Sequence, residues 1–176
     1  MTDKELIQQV CGGSKEALGA IIERYYEDIF RFCLYMVGDE NSAYDITQDT
    51  FLKFIKYRAS YCHKNLKGYL LTIARNLCYS YFVRREAVEM SQGEATEQIS
   101  AKVDLLERKE INIYLEGLLG ELSWEIREVI ILRIYQELKF KDIAKIMGCN
   151  VSTAKSRFRL GIEQLRRKME DENGKI

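Results

Sequence analysis

Asp45, Gln48, Asp49 and Leu52 recur at i, i+3, i+4 and i+7, the spacing that lines one face of a helix. Two carboxylates beside an amide can ligate a metal, dock a basic partner or lie solvated, and solvation is the default. No His or Cys accompanies them, which argues against ligation. The next stretch has the opposite chemistry. Between residues 50 and 85 the chain carries Lys53, Lys56, Arg58, Lys64, Lys67, Arg75, Arg84 and Arg85 and no acidic residue, interleaved with Phe51, Phe54, Tyr57, Tyr61, Tyr69, Tyr79, Tyr81 and Phe82. Cations neutralise phosphates and exposed rings stack on unpaired bases at about 1–3 kcal/mol each, so this window suits a single strand. Phe54 and Tyr81 fall on apolar stripes and are expected in the core. Tyr61, in the polar loop SYCHKN, joins no stripe and is the candidate stacker.

The third group is KDIAKIMGCNVSTAKSRFRLGIEQLRRKM, residues 141–169. Ile143, Ala144 and Met147 make the apolar face of a short helix, Gly148 permits a tight turn, and Asn150 can cap a second helix bearing Val151, Ala154, Phe158 and Leu165 on its buried stripe. That order is a helix-turn-helix. It turns Ser152, Lys155, Ser156, Arg159 and Arg166 outward, a face suited to a major groove. An ordinary helical hairpin with a solvated basic face is the competing reading. Catalysis has no visible machinery: the sole histidine, His63, has no acid or nucleophile signature beside it, and there is no GxSxG and no phosphate-cradling glycine loop. The chain is therefore expected to be no enzyme and to carry no metal or cofactor.

The elements that must position these groups are helices, because the chain lacks proline altogether and its apolar residues recur at three and four. A short helix spans about 3–10. Ser14 caps a long one through Leu18, Ile21, Ile22, Tyr25, Tyr26, Ile29, Phe30, Phe32, Cys33 and Val37, which Gly38 stops. Asn41 or Ser42 caps the next, with Ala43, Ile46, Thr50, Phe54 and Tyr57 on its buried stripe. A loop from Ala59 to Leu66 leads into a helix from Lys67 to Arg85 carrying Leu70, Ile73, Ala74, Leu77 and Tyr81. Residues 86–100 lose the period and turn acidic, as a tether does. Periodicity resumes at Val103, Leu106, Ile111 and Leu115 and continues from Leu122 to Leu138. The expectation is all-α: two small helical domains, 1–88 and 105–170, with a flexible linker at 89–104 and a tail at 171–176.

Charge follows the same division. The total is zero, but residues 1–49 hold four basic and ten acidic residues, 50–85 hold eight and none, 86–120 hold three and eight, and 121–176 hold twelve and nine. Neutrality hides a segregated field, so it does not exclude a polyanionic partner. The five cysteines are odd in number and show neither CxxC nor zinc spacing; Cys33, Cys78 and Cys149 read as small core hydrophobes in a reducing compartment. No signal peptide and no apolar run of the ~18 residues a bilayer span needs is present, which points to a cytoplasmic chain with no membrane insertion.

DITQDTFLKFIK (45–56), GYLLTIARNLCYSYFVRRE (68–86) and LSWEIREVIILRIYQELKFKDIAKIMGCNVSTAKSRFRLGIEQLRRKM (122–169), in that order, resemble the extracytoplasmic-function (ECF) sigma factors of bacterial RNA polymerase in their minimal two-domain form. The resemblance implies a promoter-recognition subunit with a region-two helical bundle and a region-four helix-turn-helix. It implies that Asp45, Gln48 and Asp49, with Phe51, Leu52 and Ile55, dock on the β′ clamp helices of the polymerase core. Tyr61, Lys64, Lys67, Tyr69, Arg75 and Asn76 then hold the melted minus-ten strand, with Arg84 and Arg85 near the upstream duplex. Lys155, Ser156 and Arg159 contact bases or phosphates of the minus-thirty-five duplex, Ser152 and Arg157 position the backbone, and the second domain touches the β flap. An anti-sigma factor is the implied inhibitor. Two positions depart from the family: Ser123 stands where proline is usual and can still cap, and Leu160 stands where a basic residue is common. The other reading is a stand-alone helix-turn-helix regulator of duplex operators, in which the acid-free aromatic window has no role.

Overall fold

The computed structural model describes residues 1–61, 65–92 and 114–174. Every regular element among them is helical, and the chain divides into two compact units, Met1–Gln98 and Ile99–Ile176. His63, Lys64, most of the expected tether and the apolar positions Val103, Leu106 and Ile111 lie outside the described residues.

Among its described residues the first unit has four α-helices, α1 Asp3–Cys11, α2 Lys15–Val37, α3 Glu40–Tyr57 and α4 Leu66–Gln92, with a 3-10 turn over Arg58–Ser60 after α3. Local chemistry sets their ends. Thr2 and Glu5 form a reciprocal capping box, with Glu5 Oε2 accepting from the Thr2 amide at 2.7 Å and Thr2 Oγ1 from the Glu5 amide at 3.3 Å. Ser14 Oγ accepts from Ala17 N at 3.2 Å to start α2, and Gly38, at φ 72°, ends it by donating to Leu34 O. Asp39, not Asn41 or Ser42, caps α3: its carboxylate accepts from the Ser42 amide at 2.8 Å and from the Ser42 hydroxyl. A charged carboxylate one turn earlier outcompetes the neutral side chains for the free amides. α1 is latched onto α2 by Asp3, which accepts from Arg24 at 2.6 Å and from the Tyr25 hydroxyl at 2.6 Å.

Leu6, Ile21, Ile29, Phe32, Met36, Phe54, Leu66, Leu70 and Leu71 are all but fully buried between these helices, with Ala43, Ala74 and Cys78. Thr47 and Thr50 are also fully buried, and each satisfies its hydroxyl on the carbonyl four residues back, at 2.7 and 2.8 Å. Three expectations change here. Tyr57 is 49% exposed rather than core, since α3 ends at that residue and leaves the bundle. On α4, Leu66, Leu71 and Cys78 are buried where Ile73 and Leu77 are only half-buried, because the helix packs against both α2 and α3 and so buries a wider arc than one stripe. α4 also runs past Arg85 to Gln92, through good helix formers and an Arg85 to Glu89 ion pair of 2.9 Å, so residues 86–92 are helix and not tether.

The second unit comprises helical residues 114–120 (α5), α6 Trp124–Ile130 with a wider π turn over Ile131–Tyr135, α7 Phe140–Met147 and α8 Val151–Asn173. The π turn, closed by Gln136 N donating to Ile131 O, interrupts the continuous period expected through Leu138. Val129, Ile130, Ile131 and Leu132 are four successive buried residues, which a one-faced helix cannot supply. Ser123 stands at the start of α6, but its hydroxyl makes no cap bond; its carbonyl accepts from Arg127 N. Half-buried Arg127 donates instead to Gly120 O at 2.8 Å and Leu122 O at 3.1 Å, tying the preceding turn to α6, and desolvation lowers its pKa. Gly148, at φ 65°, and Asn150, whose Oδ1 accepts from Thr153 N at 2.7 Å, make the turn between α7 and α8. Val151, expected on the buried stripe, is 39% exposed because it is the first residue of α8 and precedes the packed turn. Cys149 is half-buried. Gly161 is where α8 approaches α6 most closely: a Cβ there would stand 2.8 Å from Ile126 Cγ2 and 2.9 Å from Ile130 Cγ1.

Candidate nucleic-acid and docking faces

α3 buries Ala43, Ile46, Thr47, Thr50, Phe51 and Phe54 and so turns Asp45, Gln48 and Asp49 to solvent, with Leu52 beside them at 61% exposure. Ile55 is half-buried at the margin. Phe51 does not belong to this face. It is 5% exposed and stacks on Tyr26 at 6.4 Å between ring centroids, so it props α3 against α2 and offers no contact surface. The apolar period of α3 puts Phe51 beside Phe54 and Thr47, a signal already present in the sequence.

The acid-free window forms a run of rings and cations. Tyr61 is half-buried, 5.0 Å from the ring of Tyr69, which stands edge-on to buried Phe54 at 6.4 Å. Tyr61 therefore does join the packing, through Tyr69, and keeps part of its ring in solvent. Lys67 pairs with Asp28 on α2 at 2.9 Å, which fixes the start of α4. Arg75 lies 5.9 Å from the ring of Tyr79, and Asn76 next to it is exposed. Further along, exposed Arg84 donates to Ser80 O, while Arg85 is held by Glu89, whose hydrogen bond raises the guanidinium pKa. Tyr81 is half-buried, its hydroxyl hydrogen-bonded to Ser42 Oγ at 3.0 Å. Two exposed rings escaped the site prediction: Tyr79, at 47% exposure, and Tyr57, 5.3 Å from Lys56 Nζ. Each lies near a cation, Arg75 and Lys56, but so do the fully buried Phe32 and Phe54, which follow Arg31 and Lys53, so no sequence signal separates them.

On α8, Ser152, Lys155, Ser156 and Arg159 are exposed and lie within one arc, and Arg157 is half-buried on its flank. Ala154 and Gly161 face the opposite way, into the core. Beside the outward arc runs a shallow groove floored by Phe140, Phe158 and Ile162 and rimmed by Lys155, Arg159 and Arg166. Phe140 meets Phe158 edge-on at 5.5 Å, and Arg133 lies 5.1 Å over Phe140 while donating to Leu138 O, which locks α7 to α8. Among the described residues no His, Cys, Asp or Glu cluster could hold a metal, and no helix is long and apolar enough to cross a membrane.

Comparison with known proteins assigns these units. The family Sigma-70 region 2 matches residues 21–88 and Sigma-70, region 4 matches residues 113–165. The ECF RNA polymerase sigma factor SigM of Bacillus subtilis is 30% identical over 142 residues, covering 77% of this chain and 85% of SigM. The chain belongs to the ECF sigma factors. This ECF sigma factor is also similar to SigW of Bacillus subtilis, 27% identical with 97% and 98% of the two chains covered. BldN of Streptomyces coelicolor is 27% identical, and the chain spans 66% of its length. Among solved structures, the sigma factor RpoE of Bartonella quintana, crystallised with the anti-sigma factor NepR, is 27% identical with a TM-score of 0.74 over 86% of this chain and 96% of that one. CnrH, solved with the cytosolic domain of CnrY, has the same fold at 20% identity, TM-score 0.76, over 96% of this chain and 97% of that one.

Proposed function

We propose that this ECF sigma factor binds the RNA polymerase core and directs promoter-specific initiation by reading two states of DNA with two units. Asp45, Gln48, Asp49 and Leu52 dock on the β′ clamp helices, with Ile55 at the edge. The first unit captures the melted minus-ten strand on Tyr61, Tyr69, Lys67, Arg75 and Asn76, and Arg84 and Arg85 lie toward the upstream duplex. The second, about 105–170, lays α8 in the major groove of the minus-thirty-five element. There Lys155, Ser156 and Arg159 reach base edges or phosphates, Ser152 and Arg157 position the backbone, and the unit touches the β flap. An anti-sigma factor is the inhibitor, as in the Bartonella relative solved with NepR.

One observation carries this reading. A ring and cation surface on one unit accompanies a capped, outward-facing basic helix on the other, and stacking with charge suits unpaired bases whereas a helix with cations on its outer arc suits a duplex groove. Two variants test it. Asp45→Lys with Asp49→Lys reverses the docking charge and is expected to weaken binding to purified core by about tenfold or more, as loss of interfacial charge pairs does; unchanged affinity places the contact elsewhere. Arg159→Ala, assayed in holoenzyme, is expected to weaken the minus-thirty-five duplex by about 1–3 kcal/mol and to spare capture of a minus-ten single strand. Equal losses on both DNAs contradict the division of labour.

A further inference from the structure

The outward arc of α8 holds one side chain that can neither donate nor accept a hydrogen bond. Leu160 is 46% exposed, on a helix whose buried side is Ala154 and Gly161. From α-helix geometry it lies about 40° round and about 6 Å beyond Ser156, at the edge of the arc formed by Arg159, Ser152 and Ser156. It is outside the apolar groove of Phe140, Phe158 and Ile162, which opens on the Lys155 flank, and among the described residues it stays exposed. If α8 occupies a major groove, Leu160 must be desolvated against base edges.

The major groove offers one apolar group that protrudes, the C5-methyl of thymine, among the donors and acceptors of the base edges. A cytosine amine or guanine oxygen facing Leu160 is stripped of water and given no partner, which is unfavourable. A thymine methyl is buried with gain. We propose that Leu160 reads a thymine methyl and so sets one base of the minus-thirty-five preference. The selection is double, by apolar contact for thymine and by an unpaired polar group against G·C. This inference rests on the proposed groove binding of α8.

The test uses holoenzyme and a promoter duplex selected from a random library. Each thymine of the minus-thirty-five element is replaced in turn by deoxyuridine, which removes the methyl and leaves the hydrogen bonding intact. Burial of one methyl corresponds to about 0.8 kcal/mol, or about fourfold in affinity. The expected result is one position where deoxyuridine weakens wild-type binding about fourfold and weakens Leu160→Ala less than about twofold. Absence of any sensitive position, or the same penalty in Leu160→Ala, overturns the inference. Arg159→Ala separates the two layers: if it weakens the duplex while deoxyuridine is silent, only the Leu160 assignment falls, and if it too is silent, the groove reading falls with it.

Discussion

Tyr61, Tyr69 and Phe54 form a line of rings from the edge of the loop into the core of the first unit, and their exposure grades their roles. Phe54 is fully buried and structural. Tyr69, between them, couples packing to surface, and Tyr61 is the ring that can lose its solvent side to a base. Tyr61→Ala is therefore expected to weaken holoenzyme binding of a single-stranded minus-ten oligonucleotide by about 1–3 kcal/mol, with Tyr61→Phe close to wild type, since stacking needs the ring and not the hydroxyl. Fluorescence anisotropy measures both. Equal behaviour of the alanine and phenylalanine variants and the wild type removes Tyr61 from the strand path. Burial also divides residues that chemistry alone grouped together: Phe51 and Leu52 are neighbours, one core and one exposed at 61%.

At the scale of elements, the latch between α1 and α2 has a pH signature. Burial, and then the hydrogen bond to Asp3, push the Tyr25 phenol well above its ordinary value of 10.0. A group whose folded value is raised contributes stability that is complete below the unfolded value and is lost as pH rises toward the folded one. Tyr25→Phe is expected to destabilise the first unit by about 0.5–1.5 kcal/mol at neutral pH, as loss of one hydrogen bond does, and the gap should narrow above pH 10.0. Denaturant midpoints at pH 7 and above 10 check it; a gap constant with pH contradicts the latch.

Two glycines give opposite expectations for the same kind of change. Gly161→Val forces methyl groups into Ile126 and Ile130 and should destabilise the second unit by about 1–3 kcal/mol. Gly19→Ala, in the interior of α2 with nothing within 4 Å, should stabilise the first by about 0.5–1 kcal/mol. Thermal unfolding reads both. The pair also shows what was legible in the sequence. Ser14, Gly38, Gly148 and Asn150 announce helix ends because a cap is made by residues within one turn of it. The role of Gly161 and the π turn after α6 depend on which helix lies opposite, and the exposure of Tyr57 and Val151 on where α3 stops and α8 starts relative to the packed turns, and periodicity holds no record of either. Asp45, Gln48, Asp49 and the arc of α8 were legible because exposure follows from the buried stripe beside them. Tyr79 was named as a ring of the window but not placed in the site, since an aromatic residue reads equally as core or surface.

Across the whole molecule, a zero net charge is the sum of an acidic first quarter, a window of eight cations without an acid and a moderately basic final stretch. Such a chain has little long-range attraction to DNA, so under the proposed function its local cationic faces are expected to act only once the polymerase has placed them. That dependence on the polymerase is the centre of the account, and specific transcription tests it most directly. Purified core is incubated with a promoter library, with and without this protein, and the starts are mapped. The expected result is a set of starts that appears only with the protein and is preceded by two shared sequence blocks, to which the protein alone binds weakly at physiological salt. No starts above the core-alone background, with tight and specific binding by the isolated chain, would contradict it and favour a regulator that acts on duplex DNA by itself.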